Sequence, residues 1–310
     1  MTFSGRSLMV ATGVILAVAA CGGTASPSPG ASAAPADVKI MVGGLNKQIY
    51  LPNMLTQQLG YFREQNLNVT LVDEGSGQGS EDAVIAGNVD AGSGSYNHTI
   101  ELQAAGKYME TICQFGIAPG EAEVVDAKKA GSITSVNDLK GKNLGVTDIG
   151  SGTHTLTLAL LGKANVDSAS SHFVAVGAGD TFIAAIKQGR IDAGMTTEPT
   201  ISRLVQSGDG KVLVDLRTPA STRAALGGDY PFIGIWARTD WVNAHKDVSQ
   251  RLVNAYVKTL KWMSSRTDCK MPSGGPETVL KVEQNYVANF KGKTADLSKT
   301  YTNEFANKAS

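Results

Sequence analysis

The 310 residues carry 28 basic and 28 acidic side chains, and 42% are hydrophobic against 18% charged, enough apolar material for one large core or two ordinary ones. This composition excludes a wholly disordered chain, and the even charge lacks the clustered basic footprint of a nucleic-acid binder. Three cysteines, Cys21, Cys113 and Cys269, have no Cys-x-x-Cys spacing, which excludes a disulfide scaffold and provides no zinc or redox-dithiol signature.

At the start of the chain, Arg6 precedes an apolar run of 13 residues over 8–20. A spanning helix needs about 20 residues, so 1–20 reads as a secretory signal peptide. Val18-Ala19-Ala20-Cys21 resembles a bacterial lipobox, in which the cysteine takes a lipid and becomes the first mature residue; an ordinary signal with an incidental cysteine is the alternative. On the lipobox reading Cys21 is the lipidation site, and two acyl chains hold the protein to the outer side of the cytoplasmic membrane, periplasmic or cell-surface. Loss of the signal removes Arg6 and no acid, leaving a formal charge of −1. The uncharged Gly, Ser, Ala, Pro and Thr that follow Cys21 cannot bury enough surface to offset their ordering entropy, so 21–36 is expected to be a flexible linker.

From Asp37 onward, β-rich runs alternate with helical patterns, the order expected of an α/β fold with mainly parallel sheets flanked by helices. Strands are expected at 38–42, 69–72, 91–92, 144–146, 173–176, 212–215 and 233–237. The helix predicted over 51–59 closes on Gly60; another over 154–163 follows the strand at 144–146. A third, over 181–188, is expected to take Asp180 as its cap and close on Gly189. The C-terminal third reads as helical, over 248–263, 277–290 and 297–306. An internal echo links two distant places: Ile85-Ala86-Gly87-Asn88-Val89-Asp90-Ala91-Gly92 and Lys187-Gln188-Gly189-Arg190-Ile191-Asp192-Ala193-Gly194. Each follows an apolar helical stretch, so helix, glycine stop and short strand occur twice, which predicts two similar lobes.

No nucleophile-elbow, P-loop, zincin or EF-hand spacing occurs, and the four histidines lie in no metal-ligand pattern. The chain instead places glycine- and hydroxyl-rich loops after strands. Gly150-Ser151-Gly152-Thr153 opens a helix, whose free N–H groups, with the two hydroxyls, would hold a small oxyanion without Lys or Arg; an ordinary helix cap explains the same residues. Gly75 to Ser80 and Gly94 to His98 are expected to be equivalent loops, and ligands of open parallel sheets bind at the carboxyl ends of the strands. Tyr50 and Trp236 are candidate aromatic walls, with core packing the alternative for Trp236. Glu198 stands either as a ligand acceptor or as a helix-start acid, and His98 as a ligand contact, a helix-start hydrogen bonder or an exposed side chain. No feature of the sequence brings Cys113 and Cys269 together.

Four stretches, LGYFREQNLNV at 59–69, DLKGKNLGV at 138–146, GRIDAGMTTEP at 189–199 and DLSKTY at 296–301, resemble solute-binding lipoproteins of ABC importers in the nitrate, taurine and alkanesulfonate class, whose relatives bind thiamine-pyrimidine precursors. The resemblance implies a two-lobe periplasmic-binding-protein fold of type II with a ligand cleft between the lobes. Lobe I would be 37–118 plus 231–310, and lobe II 119–230. It further implies cleft contacts from Tyr50, Gln78, Ser80, Tyr96, Asn97 and His98 on one side and from Ser151, Gly152, Thr153, Thr197 and Glu198 on the other. One departure is the short connection from Ser264 to Met271-Pro272.

The chain is thus expected to be a monomeric, membrane-anchored receptor that passes a small organic or oxyanion solute to an ABC permease, with no catalysis, cofactor, metal or nucleic acid. An enzyme on the same fold acting on a small metabolite, or a ligand sensor for a membrane kinase, are the alternatives. Replacing Ser151 and Thr153 together by alanine is expected to weaken binding and leave the unliganded melting point nearly unchanged.

Overall fold

A computed structural model describes residues 34–264 and 294. The signal segment, Cys21, Cys269, the connection to Met271-Pro272, the helices expected at 277–290 and 297–306, and the 296–301 motif lie outside the described residues. Ten strands are described: β1 (Ala36–Val42), β2 (Leu67–Asp73), β3 (Ala91–Ser95), β4 (Met109–Gln114), β5 (Glu121–Asp126), β6 (Asn143–Val146), β7 (His172–Ala175), β8 (Ala193–Thr197), β9 (Gly210–Leu216) and β10 (Ile233–Arg238). They form two five-stranded sheets, ordered β2-β1-β3-β10-β4 and β7-β6-β8-β5-β9.

The two orders are the same plan. In the first sheet β1 pairs parallel with β2 and β3, and β10 runs antiparallel between β3 and β4. In the second, β6 pairs parallel with β7 and β8, and β5 runs antiparallel between β8 and β9. The chain crosses between sheets from β4 to β5 and returns from β9 to β10. Parallel neighbours need crossover helices that cover the sheet faces, and for this reason the central strands β3 and β8 are buried at every residue.

The echo in the sequence is an echo in structure. After the helix Gly77–Ile85, Gly87 turns the chain at φ 75°, and after the helix Asp180–Lys187, Gly189 does so at φ 68°, a conformation that glycine adopts at little cost. The aspartate that follows ties the incoming strand to its neighbour in the same way: Lys39 N–H donates to Asp90 Oδ2 at 2.8 Å and Asn143 N–H to Asp192 Oδ2 at 2.7 Å. The cap of the second helix differs from expectation. Gly179 occupies the cap, and Asp180, already helical, pairs with Arg203 at 2.6 Å.

The expected strands at 38–42, 69–72, 91–92, 144–146, 173–176, 212–215 and 233–237 all lie in or across observed ones, and β7 ends one residue earlier. Three strands have no range among the expected ones: β8, which only the second copy of the echo implied, β4 and β5. β4 reads METICQ and β5 reads EAEVVD; their acids disguise them as surface chain, although every residue of β5 is buried. Ala36, expected to end the linker, already pairs with Leu67 at the start of β1.

The loop reading of two glycine-rich segments is corrected as well. Gly77 to Ser80 form the first turn of a helix whose cap, Ser76, accepts from Gly79 N–H at 3.0 Å; Gly94 and Ser95 finish β3, and Asn97 opens the helix Asn97–Ala104. Trp236 is fully buried and lies against Gly92 and Gly94, so it is core and no wall of the cleft. The helix Lys246–Ser264 docks on Leu51–Gln58 through a buried polar seam, in which Tyr256 Oη donates to Asn53 Oδ1 at 2.8 Å and the hydroxyls of Thr56 and Thr259 meet at 2.7 Å. Cys113 is free and buried. No helix of the described residues is long and apolar enough to cross a membrane.

Candidate functional site

The carboxyl ends of β1, β2, β3 and β6 meet the amino ends of β5 and β10 around one narrow cavity. Lys47, Ile49 and Tyr50 reach it from the turn after β1, Gly77 from the helix after β2, and Ser95 from the last residue of β3. Glu121 opens β5, Thr147, Ser151, Gly152 and Thr153 follow β6, and Phe232 and Ile233 lead into β10. Both sheets therefore contribute walls. The helices Gly77–Ile85 and Gly152–Lys163 begin at the cavity, and a helix leaves its first-turn N–H groups without internal partners. The walls also touch each other directly: Asn97 Nδ2 donates to Thr155 Oγ1 at 3.3 Å, and Gln48 N–H donates to Glu198 O at 3.0 Å.

Two charged residues absent from the expected contacts stand on this cavity. Lys47 is 7% exposed and donates to the carbonyls of Gly43 at 2.6 Å and Gly75 at 3.1 Å. Burial pushes its ammonium down to about 8, against the pull of Glu121, Asp73 and Glu74. Glu121 is 2% exposed, and burial pushes its carboxyl up to about 8 against the opposing pull of Lys47. The expectation of an oxyanion held without Lys or Arg is therefore corrected: a buried lysine and a buried acid line the cavity. Lys47 looks like any surface lysine in a turn and Glu121 like any loop acid; the one signal in the sequence is the alternation of Glu121 and Glu123 about Ala122, which places both on one strand face.

Of the expected contacts, Tyr50, Ser151, Gly152 and Thr153 line the cavity. The two hydroxyls have other duties. Ser151 Oγ donates to Asp148 O at 2.7 Å, Ser151 Oγ and Thr153 Oγ1 lie 2.8 Å apart, and Thr147 N–H donates to Thr153 Oγ1 at 2.9 Å. They hold the loop between β6 and its helix. This overturns the expectation of an unchanged melting point: the Ser151→Ala, Thr153→Ala double variant should lose about 1–3 kcal/mol by leaving buried loop amides unpaired, measured as a lower urea midpoint in the unliganded protein.

The remaining expected contacts surround the cavity without lining it. Gln78 donates to Asp82 on its own helix, at 3.3 Å, and Ser80 is fully buried, donating to Ser76 O. Tyr96 is 38% exposed. Asn97 donates to Glu101 at 2.9 Å as well as to Thr155. His98 is fully buried behind Gly77, with Nδ1 2.5 Å from Glu81 Oε2 and Nε2 without a hydrogen-bond partner; a Cβ at Gly77 would stand 3.0 Å from that Nε2. Thr197 Oγ1 donates to Gly120 O at 2.9 Å. Glu198 is held as a helix-start acid, accepting from Ser202 N–H at 3.0 Å and from Arg217 at 2.8 Å, contacts that hold its carboxyl below the usual range despite burial. No cluster of three or more metal-ligating side chains occurs among the described residues.

Two similar α/β sheets joined by two crossings, with a cavity between their strand ends, define a periplasmic-binding-protein fold. The model of the NMT1/THI5-like family matches residues 49–268, and the chain belongs to that family. A solved protein from Bordetella bronchiseptica RB50 is 30% identical, with a TM-score of 0.71, over 88% of this chain and 96% of that one. The alkanesulfonate-binding protein SsuA from Xanthomonas axonopodis pv. citri, bound to MOPS, shares the fold at 20% identity, with a TM-score of 0.64, over 81% of this chain and 80% of that one. The 4-amino-5-hydroxymethyl-2-methylpyrimidine phosphate synthase THI13 of Saccharomyces cerevisiae is 26% identical over 156 residues, 48% of this chain and 42% of the yeast protein. The chain thus matches less than half the length of that curated relative.

Proposed function

We propose that this protein is an extracytoplasmic solute receptor, tethered through lipidated Cys21, that captures a small organic or oxyanion solute between its two lobes and presents it to an ABC importer. The observation that carries the reading is the cavity itself, with polar groups from both sheets facing one space. A ligand that touches both walls binds the closed arrangement better than an open one and shifts the population toward it, which provides a permease with a state to recognise. The SsuA likeness favours a sulfonate among the classes considered, with nitrate, taurine and a pyrimidine as the others.

A thermal-shift screen against those solutes tests the proposal. A ligand at a hundred times its dissociation constant stabilises the folded form by about 2.7 kcal/mol, so a true ligand should raise the melting temperature by several degrees. Deleting the gene should abolish uptake of the same solute. A screen with no shift, together with unimpaired uptake, would reject the receptor. The yeast likeness favours a second reading, an enzyme on this fold; recovery of a product in place of the unchanged solute would establish it.

A further inference from the structure

We infer that Lys47 and Glu121 are a specificity pair, which makes the cleft select a solute bearing a hydrogen-bond-donating nitrogen at one end and an accepting or anionic group at the other. This rests on the receptor reading above and narrows it. The two side chains come from opposite sheets to the same cavity, and among the described residues no ion pair joins them.

Each has an unfilled requirement. An ammonium has three protons to donate; Lys47 directs two of its donors at Gly43 O and Gly75 O, and one remains for an acceptor on the guest. On the other wall, Glu121 Oε2 is buried without any hydrogen-bond partner. Buried carboxylate oxygens in folded proteins hold donors, and the donor this one lacks is what a guest's N–H supplies. Ser95 Oγ, on the same cavity, is likewise buried and without a partner. A guest with an acceptor alone leaves Glu121 unsatisfied, and a guest with a donor alone leaves Lys47 so.

The alternative is that Glu121 keeps its proton and donates to an anion. Burial favours that form, and glutamine imitates it closely in shape and in donating capacity. Glu121→Gln therefore separates the two cases: it preserves binding of a plain anion and removes the preference for a nitrogen donor.

The experiment is calorimetric titration of the whole chain with two matched pairs, 2-aminoethanesulfonate against ethanesulfonate and 4-aminopyrimidine against pyrimidine. The expected result is that the amino-bearing member of at least one pair binds about tenfold or more tightly than its partner, which also distinguishes a zwitterion from a ring-edge ligand. Glu121→Gln should reduce that preference to about twofold or less, and Lys47→Met should weaken both members of the pair alike. The inference is overturned if the members of both pairs bind equally, if neither amino-bearing member binds, or if Glu121→Gln keeps the preference. The matched pairs read the wild-type protein directly, so a variant that fails to fold does not remove the test. Should these probes fail while another small solute raises the melting temperature, the specificity pair falls and the receptor stands; if no solute does so and uptake is unimpaired on deletion, the receptor falls with it.

Discussion

Gly92→Val should destabilise the protein by about 3 kcal/mol or more, a large share of the stability of an ordinary domain. Gly92 is the second residue of β3 and has no left-handed backbone, so the cost comes from space and not from torsion. A Cβ there would stand 2.2 Å from Trp236 Cζ3 and 2.4 Å from Cη2, and Gly94 meets the same ring at 2.7 Å. Trp236 is fully buried, with Val84, Val89, Leu102 and Met109 packed around it, and the ring has no free volume to retreat into. Urea denaturation of Gly92→Val against wild type measures the loss. Trp236→Leu alone should also destabilise, by about 3 kcal/mol for the cavity it leaves. In the double variant the two losses should fail to add, because the smaller side chain makes room for the valine. Simple additivity would show that the strand and the indole are not in the contact described.

Glu123→Gln should instead stabilise the protein, increasingly so as pH rises above about 5. Glu123 is fully buried on β5, one turn of the pleat behind Glu121, with Oε2 accepting from Thr157 Oγ1 at 3.2 Å and Oε1 without a partner. Burial pushes its carboxyl up to about 8 from the ordinary 4.5, and the Thr157 hydroxyl offsets only part of that. Between those two values the native state holds a proton that the unfolded chain has lost, so unfolding releases a proton. The contribution to stability is accordingly full below about 4.5 and is lost as pH rises through about 8. Glutamine carries no such proton. Its stability relative to wild type should rise between pH 5 and pH 9 by an amount on the order of 4 kcal/mol at most, with the two proteins close together at pH 5. Melting temperatures across that range check it, and a constant difference between the two would show that Glu123 ionises normally in the fold. Glu121 has the same upward shift, so the wild-type slope should be shallower in Glu121→Gln too.

The site was less legible than the architecture. Gly150-Ser151-Gly152-Thr153 announced a helix start at a strand end, and the helix Gly152–Lys163 begins there; the loop's hydroxyls are nonetheless consumed by its own backbone, a local pairing that residue types alone do not reveal. Trp236 offered an aromatic wall by composition, but the two small residues that accommodate it lie more than a hundred positions away. Lys47, Glu121 and Glu123 carried the opposite error. Charged residues are mostly exposed, so a lysine in a turn and two acids in a strand gave no sign of burial until their neighbours were in place.

The amino-acid sequence by itself determined the alternation of strand and helix, the repeated glycine-stop and aspartate joint, and with them a pair of like lobes. Those features depend on torsional preference and on apolar periodicity, which act over a few residues and are visible in a linear string. Which side chains would face one another, and which charges would be stripped of water, depended on the two strands that follow the crossings between sheets. Only the tertiary structure decided that β5 and β10 run antiparallel between two neighbours in their sheets, because strand order is set by long-range packing. That placement is what brings Glu121 to the same cavity as Lys47.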